Sequence, residues 1–169
     1  LQATRQIVED LDGAAAENAS LPASSAEVAS DVGAQGPDAT RKIKIMGCPV
    51  RDEADELALL MLRQLLDRGH YEVEIIADEL LAAETIGQIA EKKPALVCLA
   101  SLPPGGLAQT RYLCKRLRAR FPDSKLIVGR WGSRTDNSNA LMDAGADRSG
   151  NRIIETRDHI IQLSQILSP

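Results

Sequence analysis

The sequence has few of the residues that carry most protein chemistry. Its 169 residues include two histidines, three cysteines and one tryptophan, and aromatics make up only 2%. His70 and His159 read as solvated positions, at a helix end and on the last helix, so neither stands as a catalytic base or a metal ligand. Cys48, Cys98 and Cys114 form no Cys-x-x-Cys pair, and two of them lie inside apolar runs. They read as buried thiols of a reducing, cytosolic compartment, not as a disulfide frame. No stretch approaches the run of about 18 apolar residues that spans a membrane, and no signal peptide is visible. Positive charge is not in surplus. The formal net charge is -4, which excludes non-specific nucleic-acid binding as the main activity.

What is present suits one core. A hydrophobic content of 44% and a charged fraction of 26% are ordinary for a soluble domain. The chain opens on Leu1 inside a helix-like phrase, LQATRQIVEDL, and residues 1–12, with Ile7, Val8 and Leu11 among charges, read as the end of a preceding helix in a longer protein. Residues 13–41 are mostly Ala, Ser, Gly, Asp, Glu and Pro, with Leu21, Val28 and Val32 as their larger aliphatics. Such a segment cannot repay the entropy of ordering and is expected to be a flexible linker.

From Lys42 to residue 169 short apolar runs alternate with helical periods. Strands are expected at 42–48, 71–77, 95–101 and 125–131, with a weak fifth at 147–152. Helices are expected at 52–69, 79–93, 106–121, 137–146 and 155–167. In the first helix Leu57, Leu60, Met61 and Leu65 form the predicted apolar side. Tyr71, Val73 and Ile75 alternate with Glu72 and Glu74 as in an edge strand, whereas ALVCLAS (95–101) is continuously apolar, as a central parallel strand requires. Five βα units in series define an α/β fold: a doubly wound, five-stranded parallel sheet in flavodoxin-like order.

That topology places a ligand beyond the carboxyl ends of the strands, between the first and third. The loop SLPPGGLAQTR (101–111) stands there. Gly105 and Gly106 are expected to let the backbone approach a ligand and to leave amides free at a helix start; the bland alternative is a tight strand-to-helix turn. The candidate site comprises Cys48, Arg51, Ser101, Gly105, Gly106, Arg111, Arg130 and Trp131, arranged for a small polar or anionic ligand. Trp131 would cover the ligand or cap the core. No catalytic residue and no metal site is assigned. A phosphoacceptor receiver needs an Asp at the end of the third strand, where Ser101 stands, and a flavin phosphate loop is missing after the first strand. On the third helix Arg111, Lys115, Arg116, Arg118 and Arg120 make a basic face, suited to an anionic membrane surface or to salt bridges with Asp52, Glu53, Asp55 and Glu56.

Two resemblances rest on longer phrases. SLPPGGLAQTR, LIVGRW and DAGADRSG resemble the Ser-x-Leu, Val-Gly-Gly and Ile-Gly-Ala-Asp-x-Tyr phrases of cobalamin-binding flavodoxin-like domains. The Asp-x-His-x-x-Gly loop that supplies histidine to cobalt has no counterpart, because DEADELAL contains no His, and Gly129-Arg130 replaces the paired glycines that let the nucleotide tail pass. Cobalamin is therefore a disfavoured cofactor, reachable only as a histidine-off binder through Ser101. GCPVRDEADELALLMLRQLLD, LLAAETIGQIAEKKPALVCLASLPPGGLAQTRYLCKRLRARFPD and LIVGRWG resemble the cytosolic C-terminal domain of bacterial permeases of the autoinducer-2 exporter family. That resemblance implies a non-enzymatic sensor or docking domain at the cytoplasmic face of the inner membrane, with the transmembrane permease of the same polypeptide as partner. An enzyme acting on a phosphorylated metabolite, or a homo-oligomerisation domain with an empty mouth, are the rival readings.

Overall fold

The structure, a computed structural model, describes residues 42–77 and 80–167. The expected helix end at 1–12 and linker at 13–41 lie outside the described residues. The elements are β1 (Ile43–Pro49), α1 (Glu53–Gln64), β2 (Tyr71–Ile75), α2 (Ala82–Lys92), β3 (Leu96–Ala100), α3 (Leu107–Arg120), β4 (Lys125–Gly129), α4 (Ser138–Met142), β5 (Arg148–Gly150) and α5 (Ile153–Leu167). The five strands pair in parallel in the order β2-β1-β3-β4-β5. This is the expected flavodoxin-like sheet, with β2 at one edge and every residue of β3 buried in the middle.

Alternation along the strands sorts the core into two layers. Met46, Val97, Leu99, Leu126 and Val128 face one way, against Ile89 of α2, Leu113 and Leu117 of α3 and Leu141 of α4. Ile45, Leu96, Cys98 and Ile127 face the other, against Leu59 and Leu62 of α1 and Ile160 and Leu163 of α5. Each fully buried aliphatic contributes about 1.5–3 kcal/mol over exposure. The sheet is thus covered on both faces, as continuous apolar strands require.

Several boundaries and faces differ from expectation. α1 starts where Asp52 accepts from the Ala54 and Asp55 amides, but it ends at Gln64, not at Gly69. The Asp67 carboxylate there accepts from the Gly69 amide at 2.8 Å and meets His70 Nδ1 at 2.6 Å, making a turn. Of the expected apolar side, Leu57 and Leu60 are buried, whereas Met61 and Leu65 are 48% and 40% exposed, and Ala58, Leu59, Leu62 and Leu66 pack into the core instead. With leucines at 57, 59, 60, 62, 65 and 66 the helix offers overlapping stripes, and packing against β1 selects one. α2 closes through Lys93, whose φ of 46° is left-handed, just before Pro94. His159 is half-buried on α5 with no partner for Nδ1, not solvated.

Arg118 leaves the basic face. Its guanidinium donates to the carbonyls of Gly145, Pro122 and Ser124 and pairs with Asp147 at 2.6 Å. The acid that answers α3 is therefore Asp147, at the approach to β5. Arg111, Lys115, Arg116 and Arg120 remain exposed.

Candidate functional site

The carboxyl edge of the sheet is built from three loops: 50–52 after β1, 101–106 after β3 and 130–137 after β4. Backbone bonds extend the ladder into them. The Val50 amide donates to Ala100 O, the Ser101 amide to Gly129 O, and the Arg130 amide to Gly150 O.

The space between β1 and β3, where the topology places a ligand, is crossed by the Arg51 side chain. Arg51 Nη1 donates to Pro104 O, and its side chain lies against the glycine turn. A Cβ on Gly106 would stand 2.9 Å from Arg51 Cδ and 2.3 Å from Ser101 Oγ, at a φ of +72°. Gly106 is therefore demanded by packing within the protein, not by a ligand. Beneath the turn lies Asp55, 1% exposed. Its Oδ2 accepts from the Arg51 amide at 3.0 Å and its Oδ1 from the Leu102 amide at 2.6 Å, so one carboxylate ties the first loop to the second. Burial pushes its pKa up, against the pull of those two amides. The sequence offers Asp55 as one of four acids to salt-bridge with α3, the alternative being an anionic membrane surface. Its true place is signalled by its position in the buried α1 stripe, seven residues before Leu62.

Two other predicted members also leave the site. Cys48 shares the strand parity of Met46 and is fully buried in the core. Burial drives its thiol far above the ordinary range, and Cys98 and Cys114 are pushed up to about 12. Arg111 stands exposed on α3 and makes none of the contacts that join the loops.

Parity decides the fate of the pair after β4. Arg130 follows Leu126 and Val128 to one side, and Trp131 follows Ile127 to the other. Trp131 is 8% exposed within the α1/α5 core, and its indole N–H donates to Thr156 Oγ1 at 2.8 Å. It caps that core. Arg130 is 7% exposed. Its Nη1 donates to Ser101 Oγ at 3.1 Å, while Nε is buried without a partner. No carboxylate among the described residues pairs with it within 4.0 Å. Burial lowers its pKa, with Asp55 opposing and Arg51 assisting that shift.

Arg130 lines two adjoining depressions. One is open, about 630 Å³, and bounded by Pro103, Pro104 and Gly105 on one side and Ser133, Arg134 and Thr135 on the other. The second is a polar cranny of about 10 Å³ beside Ser133, Asn137 and Ser149, room for about one water-sized group. The loop 133–138 is internally braced: Ser133 Oγ donates to Thr135 O, and Asn137 Nδ2 donates to Ser133 Oγ and Thr135 O. Of the predicted residues, Gly105 and Arg130 line this mouth, with Ser101 buried behind Arg130 and Arg51 beside the glycine turn. Ser133, Thr135 and Asn137 were missed, because hydroxyl and amide side chains in a loop read first as turn formers.

No family model and no curated protein sequence matches the chain. Solved structures do match in shape. A cobalamin-binding protein from Desulfitobacterium hafniense DCB-2 aligns at TM-score 0.55 and 18% identity, over 72% of this chain and 58% of that one. A methanol:cobalamin methyltransferase complex from Methanosarcina barkeri aligns at 0.59 and 15%, over 79% and 50%. A putative response regulator from Chloroflexus aurantiacus J-10-fl aligns at 0.57 and 21%, over 76% and 100%. The chain thus spans a little over half of the first of these, and the likeness establishes the flavodoxin-like fold shared by cobalamin-binding and receiver domains. A histidine-ligated corrinoid does not fit these residues. The loop after β1 has no imidazole, a guanidinium occupies the end of β4, and the described residues hold no group of three or more His, Cys, Asp or Glu able to hold a metal.

Proposed function

We propose that residues 42–167 form a non-catalytic regulatory domain that binds a small anion on Arg130. The observation that carries this is Arg130, a residue 7% exposed, with one side-chain hydrogen bond, an unpartnered Nε and no paired acid, bordering a 630 Å³ depression. Burying an unpaired charge costs several kcal/mol; an anion between loops 101–106 and 130–137 offsets that cost. With Nη1 held by Ser101 and Nε enclosed by the protein, Nη2 is the donor left to meet an oxygen of a carboxylate or phosphate. No nucleophile with an adjacent base stands in the depression, and this supports binding over turnover.

Inorganic phosphate at ten times its Kd should stabilise the protein by about 1.4 kcal/mol, read as a rise in melting temperature. Arg130→Gln should abolish that rise while the apo protein stays folded. Persistence of the rise in the variant would remove Arg130 from the site. The fold likeness supports a second reading, a corrinoid bound without protein histidine through Ser101. Its signature would be a change in visible absorbance when hydroxocobalamin is titrated.

The partner in this reading is a membrane permease of the same polypeptide, with the domain at the cytoplasmic face of a bacterial inner membrane. What supports it is the resemblance of the long phrases given above, together with the exposed basic residues of α3. No helix among the described residues is long and apolar enough to cross a membrane itself. Arg111, Lys115 and Arg120 make no ion pair among the described residues, and Arg116 lies over Tyr112 at 5.5 Å. Near anionic headgroups each contributes about 1 kcal/mol. Vesicles containing phosphatidylglycerol should therefore pellet the protein at low salt, and Lys115→Glu with Arg120→Glu should weaken this at least tenfold. Pelleting unmoved by either charge reversal or salt would sink the membrane contact.

A further inference from the structure

A second depression adjoins the anion site, and its chemistry is opposite. It is a groove of about 830 Å³ between α1 and the start of α5, with Ala58, Met61, Leu102, Trp131, Ile153 and Ile154 along it. Met61 and Ile154 are 48% and 44% exposed there, although both are large and apolar. The Trp131 N–H is already spent on Thr156, so what the indole offers the groove is hydrocarbon. Leu102 N–H is likewise taken by Asp55. The size falls within that of small-molecule sites, which are mostly apolar with a few polar anchors.

The two depressions share a wall, Gly132 and Ser133. Gly132 makes that wall low. It is exposed, with φ at +82°, and a Cβ built on it would meet nothing within 4 Å. On one side of this saddle is the Arg130 guanidinium, with Ser101 Oγ as its side-chain acceptor and no paired acid; on the other is apolar surface lacking a cover. An apolar groove by itself would serve a peptide or a second copy of the chain equally well. A buried cation across a one-residue saddle selects a single molecule with a charged head and an apolar body.

We propose that the ligand of this domain is an anionic amphiphile, with a phosphate or carboxylate head on Arg130 and an alkyl or similarly apolar body crossing Gly132 into the groove floored by Trp131 and Met61. This deepens the reading of Arg130 as an anion site and rests on it. The exposed position of Met61 and the open space at Gly132 allow both to be altered without disturbing the core.

The test is calorimetric titration of the full 169-residue chain with inorganic phosphate and then with ethyl, butyl and hexyl phosphate. Affinity should tighten about fourfold per methylene, hence roughly 200-fold from ethyl to hexyl. Met61→Glu should flatten that gradient while leaving inorganic phosphate within twofold of its wild-type affinity. Gly132→Asn, a residue that tolerates the left-handed region, should raise a step at the saddle and flatten the gradient too; because Gly132 also borders the anion depression, the unchanged inorganic phosphate affinity is asked of Met61→Glu alone. Phosphate binding with no dependence on chain length would overturn the amphiphile and leave the anion site standing, as would a gradient that survives both variants. Failure of every phosphate to bind would overturn both. An alkyl carboxylate series, run in parallel, identifies the preferred head.

Discussion

Gly129→Ala should destabilise the domain by about 3 kcal/mol and lower its melting temperature by roughly 10 °C, the size expected when a rigid core is overpacked. A Cβ on Gly129 would stand 2.5 Å from two ring carbons of Trp131 and 2.8 Å from Nε1. The ring cannot move aside cheaply, because it is buried among α1 and α5 side chains and anchored to Thr156. Displacing it would break that bond and uncover one wall of the apolar groove. Gly132→Ala is the control. There the added methyl meets no atom, and only the positive φ opposes it, at about 1 kcal/mol. Gly129 itself has no positive φ, so a loss there no larger than at Gly132, measured by thermal unfolding, would show that the indole yields to the added methyl and does not set the demand at 129.

The same two residues show where sequence reading succeeded and where it stopped. Apolar runs and helical periods sufficed for the sheet, because a strand such as LVCLA can be buried on both faces only at the centre of a parallel sheet. They also led to the loops at the carboxyl edge of the sheet. They did not settle which side chain of a loop turns which way. Arg130 and Trp131 are neighbours in sequence and lie on opposite faces because the alternation of β4 runs on past Gly129, and only the strand's register decides that. Cys48 failed as a rim residue for the same reason: one position of parity separates a mouth from a core. Arg51 was legible as a charge near the mouth. That it would lie across the glycine turn and cross the β1–β3 crevice depends on Pro104 O, a backbone group with no sequence signature. Asp55 was the legible omission, an acid in register with the buried leucines of its own helix.

Asp55→Asn should cost about 2–3 kcal/mol at neutral pH, because the carboxylate accepts from two backbone amides at once and an amide side chain has one oxygen. Either the Arg51 or the Leu102 N–H would then face an NH2 group, buried and without water. The pH dependence has a definite sign. Burial raises the native carboxyl above its unfolded value of about 3.9, so the native state holds its proton to higher pH than the unfolded chain. The stability that Asp55 contributes is therefore greatest below the unfolded value and declines as pH rises through the raised native one. In urea melts the gap between wild type and variant should narrow as pH climbs through that window and stay level above it. A gap that widens there would mean the two amides outweigh burial. Affinity should move the other way. Asp55 is the acid whose field reaches Arg130, and neutralising it leaves the charge of that guanidinium less offset. The folded variant should accordingly bind inorganic phosphate a few-fold more tightly than wild type. A protein that is less stable yet binds better separates the two tasks of this carboxylate, holding the first loop to the second and offsetting the cation beside them. Parallel losses of stability and affinity would assign Asp55 to loop positioning alone.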